Sequence, residues 1–243
     1  MGQRRKLVAG TARRCLTSEC ALTIIGTVDS EGGRPVTTVR ARARKQPAEV
    51  RRETLVDAAV RVFARTPYRA AGTAAIAHEA GVAEPTIYRH YASKRELYLA
   101  ALNRTCTEVA EAWQAIIDRT EDAAEALGAL GDWYQHSIIA NPDPIRLRLR
   151  AAAEAEDDEV RALLQHGYGL VVAMVTGIIR RGQEQGSIRA GVDPAAAAWL
   201  FMGIGQVLDL SVLGGVPLLA AGCEETMGKE FTRYLFGHTE GPQ

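Results

Sequence analysis

The residues from Gly72 to Lys94, GTAAIAHEAGVAEPTIYRHYASK, constrain the chain more than any other stretch. Ile76, Ala77 and Ala80 fall on one face of a short helix. Gly81 follows where the chain must turn sharply, a place suited to a residue that reaches positive φ without a Cβ clash. Val82 and Ile87 then return apolar side chains to the first helix. Thr73 is the expected N-cap of that helix. Pro85 fits the first turn of the second, where its missing N–H costs nothing. Thr86, Tyr88, Arg89 and His90 are left on or near the outer face, and Tyr91, near the Ile87 side, is expected inside. Ser93-Lys94-Arg95-Glu96 has the form of a capping box and opens a third helix on Lys94. Free N–H groups, a positive dipole end and a lysine together suit a phosphate.

Two short helices about a glycine also occur in all-α proteins that never meet DNA. Three additions favour DNA here: basic residues ahead of the motif, the run Thr86-Ile87-Tyr88-Arg89-His90-Tyr91, and the capped helix opening on Lys94.

Residues 48 to about 102 resemble the N-terminal domain of TetR-family transcriptional regulators. The resemblance rests on Leu55, Val56, Ala59, Val62 and Phe63, then Gly72-Thr73, Ile76-Ala77, Ala80-Gly81-Val82, Thr86-Ile87-Tyr88, Tyr91 and Ser93-Lys94. It implies that Thr73, Tyr88, His90 and Lys94 hold DNA phosphates, and that Glu84, Pro85, Thr86 and Arg89 face base edges or the groove wall. The chemistry of the side chains agrees: Tyr and His carry donors on rigid rings, and Arg89 can pair with guanine O6 and N7. Glu84 repels phosphate unless it accepts from a cytosine amino group. Ala83 stands where the family often has Ser or Thr, so the second helix lacks a side-chain cap.

Charge is unevenly spread. Residues 1–47 hold ten Lys or Arg and three acids, a net of +7; residues 48–98 hold eight and six, +2; the remainder holds eleven and twenty, −9. A basic front and an acidic back suit a protein that meets DNA with one end. The 47 % hydrophobic content supports a real core. Cys15, Cys20, Cys106 and Cys223 form no C-x-x-C pair and no histidine stands at metal-ligand spacing, so no metal or cofactor is expected, and the cysteines read as reduced thiols in a cytoplasmic protein, nucleoid-associated when bound to DNA. No nucleophile elbow, glycine-rich phosphate loop or paired acid set is present, which argues against an enzyme. The apolar run from Ala195 is broken by Gln206 and Asp209 and reads as a buried helix rather than a membrane span.

Three segments follow: residues 1–47, a basic extension expected to be disordered, or a stretch upstream of the true start; residues 48–98, the helix-turn-helix domain; and residues 99–243, a helical ligand-binding and dimerisation domain. Within the extension, Arg40, Arg42, Arg44 and Lys45 are placed to reach DNA just ahead of the first helix. The fold expected is all-α, a three-helix DNA-binding head followed by an all-helical sensor. Expected helices run from Lys94 to Asp118, from a Thr120 cap to Ala140, over Ile145–Ala155, from Asp157-Asp158 to Gln185, from an Asp193-Pro194 start to Leu213, and from Gly222 to Phe236. The helix after Pro194 is apolar nearly all round and demands burial on most faces. A homodimer through the last two helices is therefore expected, with Leu208, Met227, Phe231 and Leu235 in the interface and Gly203 and Gly205 allowing close approach. Such a dimer reads a palindromic operator on double-stranded DNA.

The resemblance further implies a small-molecule pocket among the fourth to eighth helices. Trp113, Trp133, Tyr134, His136, His166, Tyr168, Met174, Phe201 and Gln206 are candidate lining residues, with His136, His166 or Gln206 as polar anchors for an apolar effector. Arg146, Arg148 and Arg150 alternate on a short helix, and two of them are expected to face solvent. The function expected is a ligand-released repressor; an activator, or a regulator without a ligand, is the alternative.

Overall fold

The computed structural model describes residues 47–153, 157–217 and 222–237. The expectations for residues 1–46, including Cys15, Cys20, Arg40, Arg42, Arg44 and Lys45, lie outside the described residues. The described part is all helical, with no strand among the described residues: α1 (Ala48–Arg65), α2 (Thr73–Glu79), α3 (Pro85–His90), α4 (Lys94–Ile117), α5 (Ala123–Ala140), α6 (Asp143–Ala153), α7 (Asp158–Glu184), α8 (Pro194–Gly214) and α9 (Cys223–Phe236).

Local chemistry explains most boundaries. Ser93 accepts from the Glu96 N–H, and the Glu96 carboxylate reaches back to the Ala92 N–H at 2.6 Å, so α4 opens on a reciprocal cap. Asp157 accepts from the N–H groups of Glu159 and Val160 and starts α7. Asp193 accepts from Ala196 N–H with Pro194 in the first turn of α8. Two caps differ from the sequence reading. α5 is capped by Asp122, which accepts from Glu125 N–H, while the Thr120 hydroxyl donates back to the Ile116 carbonyl at the end of α4. α2 has Gly72 at its N-cap with no side-chain bond, so Thr73 is its first helical residue and its hydroxyl is free for another use.

Gly81 (φ +66°) ends α2. Its N–H bonds the His78 carbonyl and the Val82 N–H bonds the Ala77 carbonyl, which closes the last turn and sends the chain back toward α3. A left-handed position of this kind disfavours any residue with a Cβ. A second glycine matters through space: a Cβ on Gly167 of α7 would lie 2.7 Å from the Cys106 Sγ of α4, so these two long helices approach closely only because nothing projects there.

Two hydrophobic clusters result. The first gathers Leu55, Ala59, Phe63, Ile76, Ile87, Tyr91, Leu97 and Leu102 from α1–α4 and their connections, and it continues into Leu147 and Ala151 of α6 and Val160 and Leu164 of α7. Tyr91 is inside, as its position beside Ile87 predicts. The second joins Trp113 of α4 to Leu127 and Leu130 of α5, Val175, Ile178 and Ile179 of α7, Ala197 and Ala198 of α8, and Leu235 of α9. Ion pairs tie the first cluster's elements together: Arg61 to Glu79 between α1 and α2, Arg65 to Asp143 between α1 and α6, and Arg95 of α4 to Asp157 and Glu159 at the start of α7. The bonded Arg95 guanidinium, helped by the Val160 N–H, holds the Asp157 carboxyl down to about 2.

α7 and α8 are each long and apolar enough to cross a membrane by length and composition. In this structure the inner faces of both helices build the second cluster. The outer face of α8 stays uncovered, with Trp199, Leu200 and Leu210 respectively 58 %, 52 % and 56 % exposed.

Candidate functional site

The outer surface of the helix-turn-helix carries all eight residues singled out as DNA contacts. Pro85, Tyr88 and Arg89 are exposed, and Thr73, Glu84, Thr86, His90 and Lys94 are half-buried. They form small bonded groups. The Thr73 hydroxyl donates to Glu84 Oε1 and lies 3.1 Å from the Tyr88 hydroxyl, which joins the start of α2 to α3. Arg89 Nη2 donates to Thr86 Oγ1 at 3.3 Å. The His90 carbonyl, at the end of α3, accepts from Arg52 Nη1 at 2.7 Å, and that guanidinium also lies over the Tyr91 ring at 4.5 Å. A cation there complements the negative end of the short helix.

Lys94 has a structural role besides any contact with phosphate. Its ammonium donates to the carbonyls of Tyr68 and Ala71 at 2.7 and 2.9 Å and lies 4.3 Å from the Tyr68 ring centre. It therefore clamps the α1–α2 loop onto the start of α4.

Beyond the helix-turn-helix, α4 to α8 line a cavity of two lobes that share Trp113, Tyr134, Met202 and Gln206 as walls. The first lobe, of about 40 Å³, is completed by Cys106, Val109, Arg148, Gly167, Tyr168 and Val171. The second, of about 60 Å³, is completed by Gly131, Phe201, Ile204, Gly205 and Leu208. Each holds only a few waters. A buried polar set lies at the partition. Tyr134 Oη donates to Asp209 Oδ1 at 2.8 Å, and Gln206 Nε2 reaches Asp209 Oδ2 at 3.3 Å and the Tyr168 hydroxyl at 3.5 Å. Asp209 is only 2 % exposed, and burial pushes its carboxyl above the ordinary value, against the pull of Tyr134 and Arg148. Burial likewise raises the Tyr134 hydroxyl, with the Asp209 charge adding to it.

Of the candidate lining residues, Trp113, Tyr134, Tyr168, Phe201 and Gln206 meet at this cavity. His136 and His166 do not. Both are exposed, and His136 Nδ1 lies 2.7 Å from the Asp132 carbonyl of its own helix. Met174 and Trp133 pack against the second cluster, away from both lobes. Arg148 and Asp209 were not among the candidates. Arg148 shares spacing three with the buried Ile145 and Ala151, which places it on the inner face of α6, and Asp209 is the one acid in the apolar stretch of α8.

The face expected to pair two subunits divides in two. Leu208 and Leu235 are buried within the subunit, a Cβ on Gly205 would touch the Tyr134 ring at 3.4 Å, and Phe231 stacks near Phe201 at 5.8 Å. These residues belong to the subunit's own core because α9 lays its apolar side on α8. Trp199, Leu200 and Leu210 point outward, and a Cβ on Gly203 meets nothing within 4 Å.

Residues 55–101 match the family model of bacterial regulatory proteins of the tetR family. The HTH-type transcriptional activator FasR of Mycolicibacterium smegmatis is 32 % identical over 144 residues, 53 % of this chain and 65 % of FasR, so the match spans just under two thirds of that relative. The fatty acid metabolism regulator protein of Bacillus subtilis is 25 % identical over 149 residues, 61 % of this chain and 76 % of that protein. In structure, the transcriptional regulator FadR from Bacillus subtilis, solved in complex with stearoyl-CoA, superposes with a TM-score of 0.64 at 20 % identity, covering 75 % of this chain and 98 % of FadR. The relatives are named as regulators rather than enzymes, and residues 55–101 of this chain are similar to the helix-turn-helix domain of the tetR family, set on an all-helical body that shares the fold of FadR.

Proposed function

We propose that this regulator is a repressor that holds a palindromic operator as a homodimer and leaves it when a small, largely apolar ligand enters the cavity between α4 and α8. Thr73, Tyr88, His90 and Lys94 hold phosphates; Pro85, Thr86 and Arg89 meet the groove, with Arg89 on a guanine. Glu84 sits among them as an acceptor, suited to a cytosine amino group. Two copies meet through the outer face of α8, where Trp199, Leu200, Gly203 and Leu210 leave an apolar stripe uncovered. That pairing sets two recognition helices at successive major grooves, roughly 34–36 Å apart or somewhat more.

The observation that carries the ligand reading is the cavity itself, walled by every helix from α4 to α8 and reaching α6, which also touches α1. Its lobes are narrow, so a ligand must part α8 from α5 to enter, and α4 leads from that wall directly to the head. A solved relative in complex with stearoyl-CoA and a second that regulates fatty acid metabolism favour an acyl chain as the apolar body. A named activator among the relatives keeps activation as the second reading.

The test is a gel-shift titration with DNA flanking the gene, with Tyr88→Phe/Arg89→Ala as control. A discrete shift lost in the variant and reversed by acyl compounds supports the reading. A shift that no ligand reverses leaves a DNA-binding regulator without ligand control. A shift insensitive to both substitutions refutes the assigned contact surface.

A further inference from the structure

The two lobes differ in chemistry, and the difference says what the head of a ligand must be. The second lobe is walled by Phe201, Ile204 and Leu208 and suits an apolar body. The first holds Arg148, the one charged residue among those that line it. Arg148 Nη1 donates to the Thr105 carbonyl at 2.8 Å. A guanidinium has five N–H donors and no acceptor. Its charge is felt at Cys106, Tyr134, Tyr168 and Asp209 around the lobe. Trp113 stands where the lobes join. It is 2 % exposed, and its Nε1–H is buried without an acceptor.

Buried donors are almost always paired. Trp113 and Arg148 both line the first lobe, the one with a buried indole N–H that lacks an acceptor and the other with N–H groups beyond the one given to Thr105, so this part of the core is short of acceptor oxygen. The nearby Asp209 carboxylate bonds neither group: its two oxygens accept from Tyr134 and Gln206. Asp209 instead orients those two groups, so that neither competes for the head of a ligand.

Resting on the reading of this cavity as the effector site, we infer that the effector is an alkyl chain ending in an acyl oxygen, carboxylate or acyl carbonyl. The acyl oxygens accept from Arg148 and Trp113 Nε1–H in the first lobe, and the chain lies in the second. A cationic head is repelled by Arg148, and an alcohol offers one weaker acceptor.

Calorimetric titration of the full chain, without DNA, tests this with dodecanoic acid, its coenzyme A thioester, dodecanol and dodecylamine. Dodecanoic acid or the thioester binds, and the amine binds at least about tenfold more weakly. Preference for the acid identifies a free fatty acid as the source, and preference for the thioester identifies a carrier-bound acyl group. Arg148→Met weakens the oxygen-headed ligand by roughly ten- to hundredfold, as expected for a bond between charged partners. Arg148→Lys keeps part of the binding, and Trp113→Phe loses about three- to tenfold. Thermal melting of each variant monitors the fold. Where Arg148→Met melts early, the ordering of the four heads on the wild-type protein decides alone. Equal binding of amine and acid, unchanged affinity in a folded Arg148→Met, or no binding of either acyl compound overturns the inference. Operator release is read separately by gel shift. Acyl binding with the expected head preference but no release refutes the effector reading and leaves the head-group assignment standing.

Discussion

The hydrogen bond from Tyr134 to Asp209 joins α5 to α8 across the partition of the cavity and gives a worked prediction. Its length is 2.8 Å and its acceptor is 2 % exposed. Tyr134→Phe removes the hydroxyl and leaves the Asp209 carboxylate with Gln206 at 3.3 Å. A bond to a charged group contributes about 1.5–3 kcal/mol. For a protein of this size each kcal/mol moves the melting temperature by about 2–4 °C, so Tyr134→Phe should melt roughly 3–12 °C lower. In an Asp209→Asn background there is no charge to strand. The same Tyr134→Phe step should then cost only about 0.5–1.5 kcal/mol, the range for a neutral bond, and the double-mutant cycle should show coupling near 1 kcal/mol or more. The pH dependence carries the opposite sign to that of a salt-bridged acid. Burial raises the Asp209 carboxyl above 3.8, so the folded state holds that proton more tightly than the unfolded chain does. The stability it confers is fully present below 3.8 and is lost as pH rises through the raised folded value. Asp209→Asn lacks this contribution. The melting temperature of the wild type minus that of Asp209→Asn should therefore climb as pH falls from neutral toward about 4. Differential scanning fluorimetry on the four proteins across pH reads both effects. Equal costs of Tyr134→Phe in the two backgrounds, with a flat difference curve, would refute the reasoning.

Other substitutions separate roles that the sequence merges. Lys94→Ala strips the ammonium from the Tyr68 and Ala71 carbonyls, so it should cost about 1–3 kcal/mol of stability as well as DNA affinity, whereas Tyr88→Phe should weaken DNA binding at an unchanged melting temperature; fluorimetry beside gel shifts checks both. Leu208→Arg places a charge in a subunit's own core and should lower stability by several kcal/mol, about 3 or more. Leu210→Arg, on the exposed face of α8, should stay folded and sediment as a monomer; a dimer in that experiment would move the interface elsewhere. Arg89→Ala should relax preference at one operator position by about 1–3 kcal/mol, and equal losses on all DNA sequences would mark it as a phosphate contact instead.

The head was the most legible part because its signals are local. Gly81 needs a left-handed backbone, Ser93 and Glu96 cap one another, and Ile76, Ala77 and Ala80 share one helix face, all within about twenty residues. Thr73 misled because its cap role and its bond to Glu84 look alike in sequence; only the fold brings position 84 beside position 73. The cavity was legible in part from its aromatics, since Trp113, Tyr134 and Phe201 lie on helices of the apolar body, though size alone does not bury a ring: Trp199 is 58 % exposed. The histidines were not, because His136 and His166 lie on the solvent side of helices whose inner sides are filled by other residues. Arg148 could be found from its spacing to Ile145 and Ala151, a pattern hidden by the alternation of three arginines. For α8, composition predicted burial all round, but it could not divide the faces. Leu208 turns inward and Leu210 outward, two residues apart on a helix that hydrophobicity alone makes uniform.

The first hydrophobic cluster has a consequence for anyone who would exchange parts between regulators of this kind. Leu147 and Ala151 of α6, with Val160 and Leu164 of α7, complete the core that α1 begins, and Arg65 is tied to Asp143 across the same seam. A graft cut after residue 98 would leave α1 facing a foreign helix and part of its core missing. The transplantable piece is discontinuous: the first four helices together with α6 and the opening turns of α7. A hybrid built on that outline keeps the head's own support together with the cavity walls that α4 and α6 supply, and trades those from α5, α8 and the rest of α7.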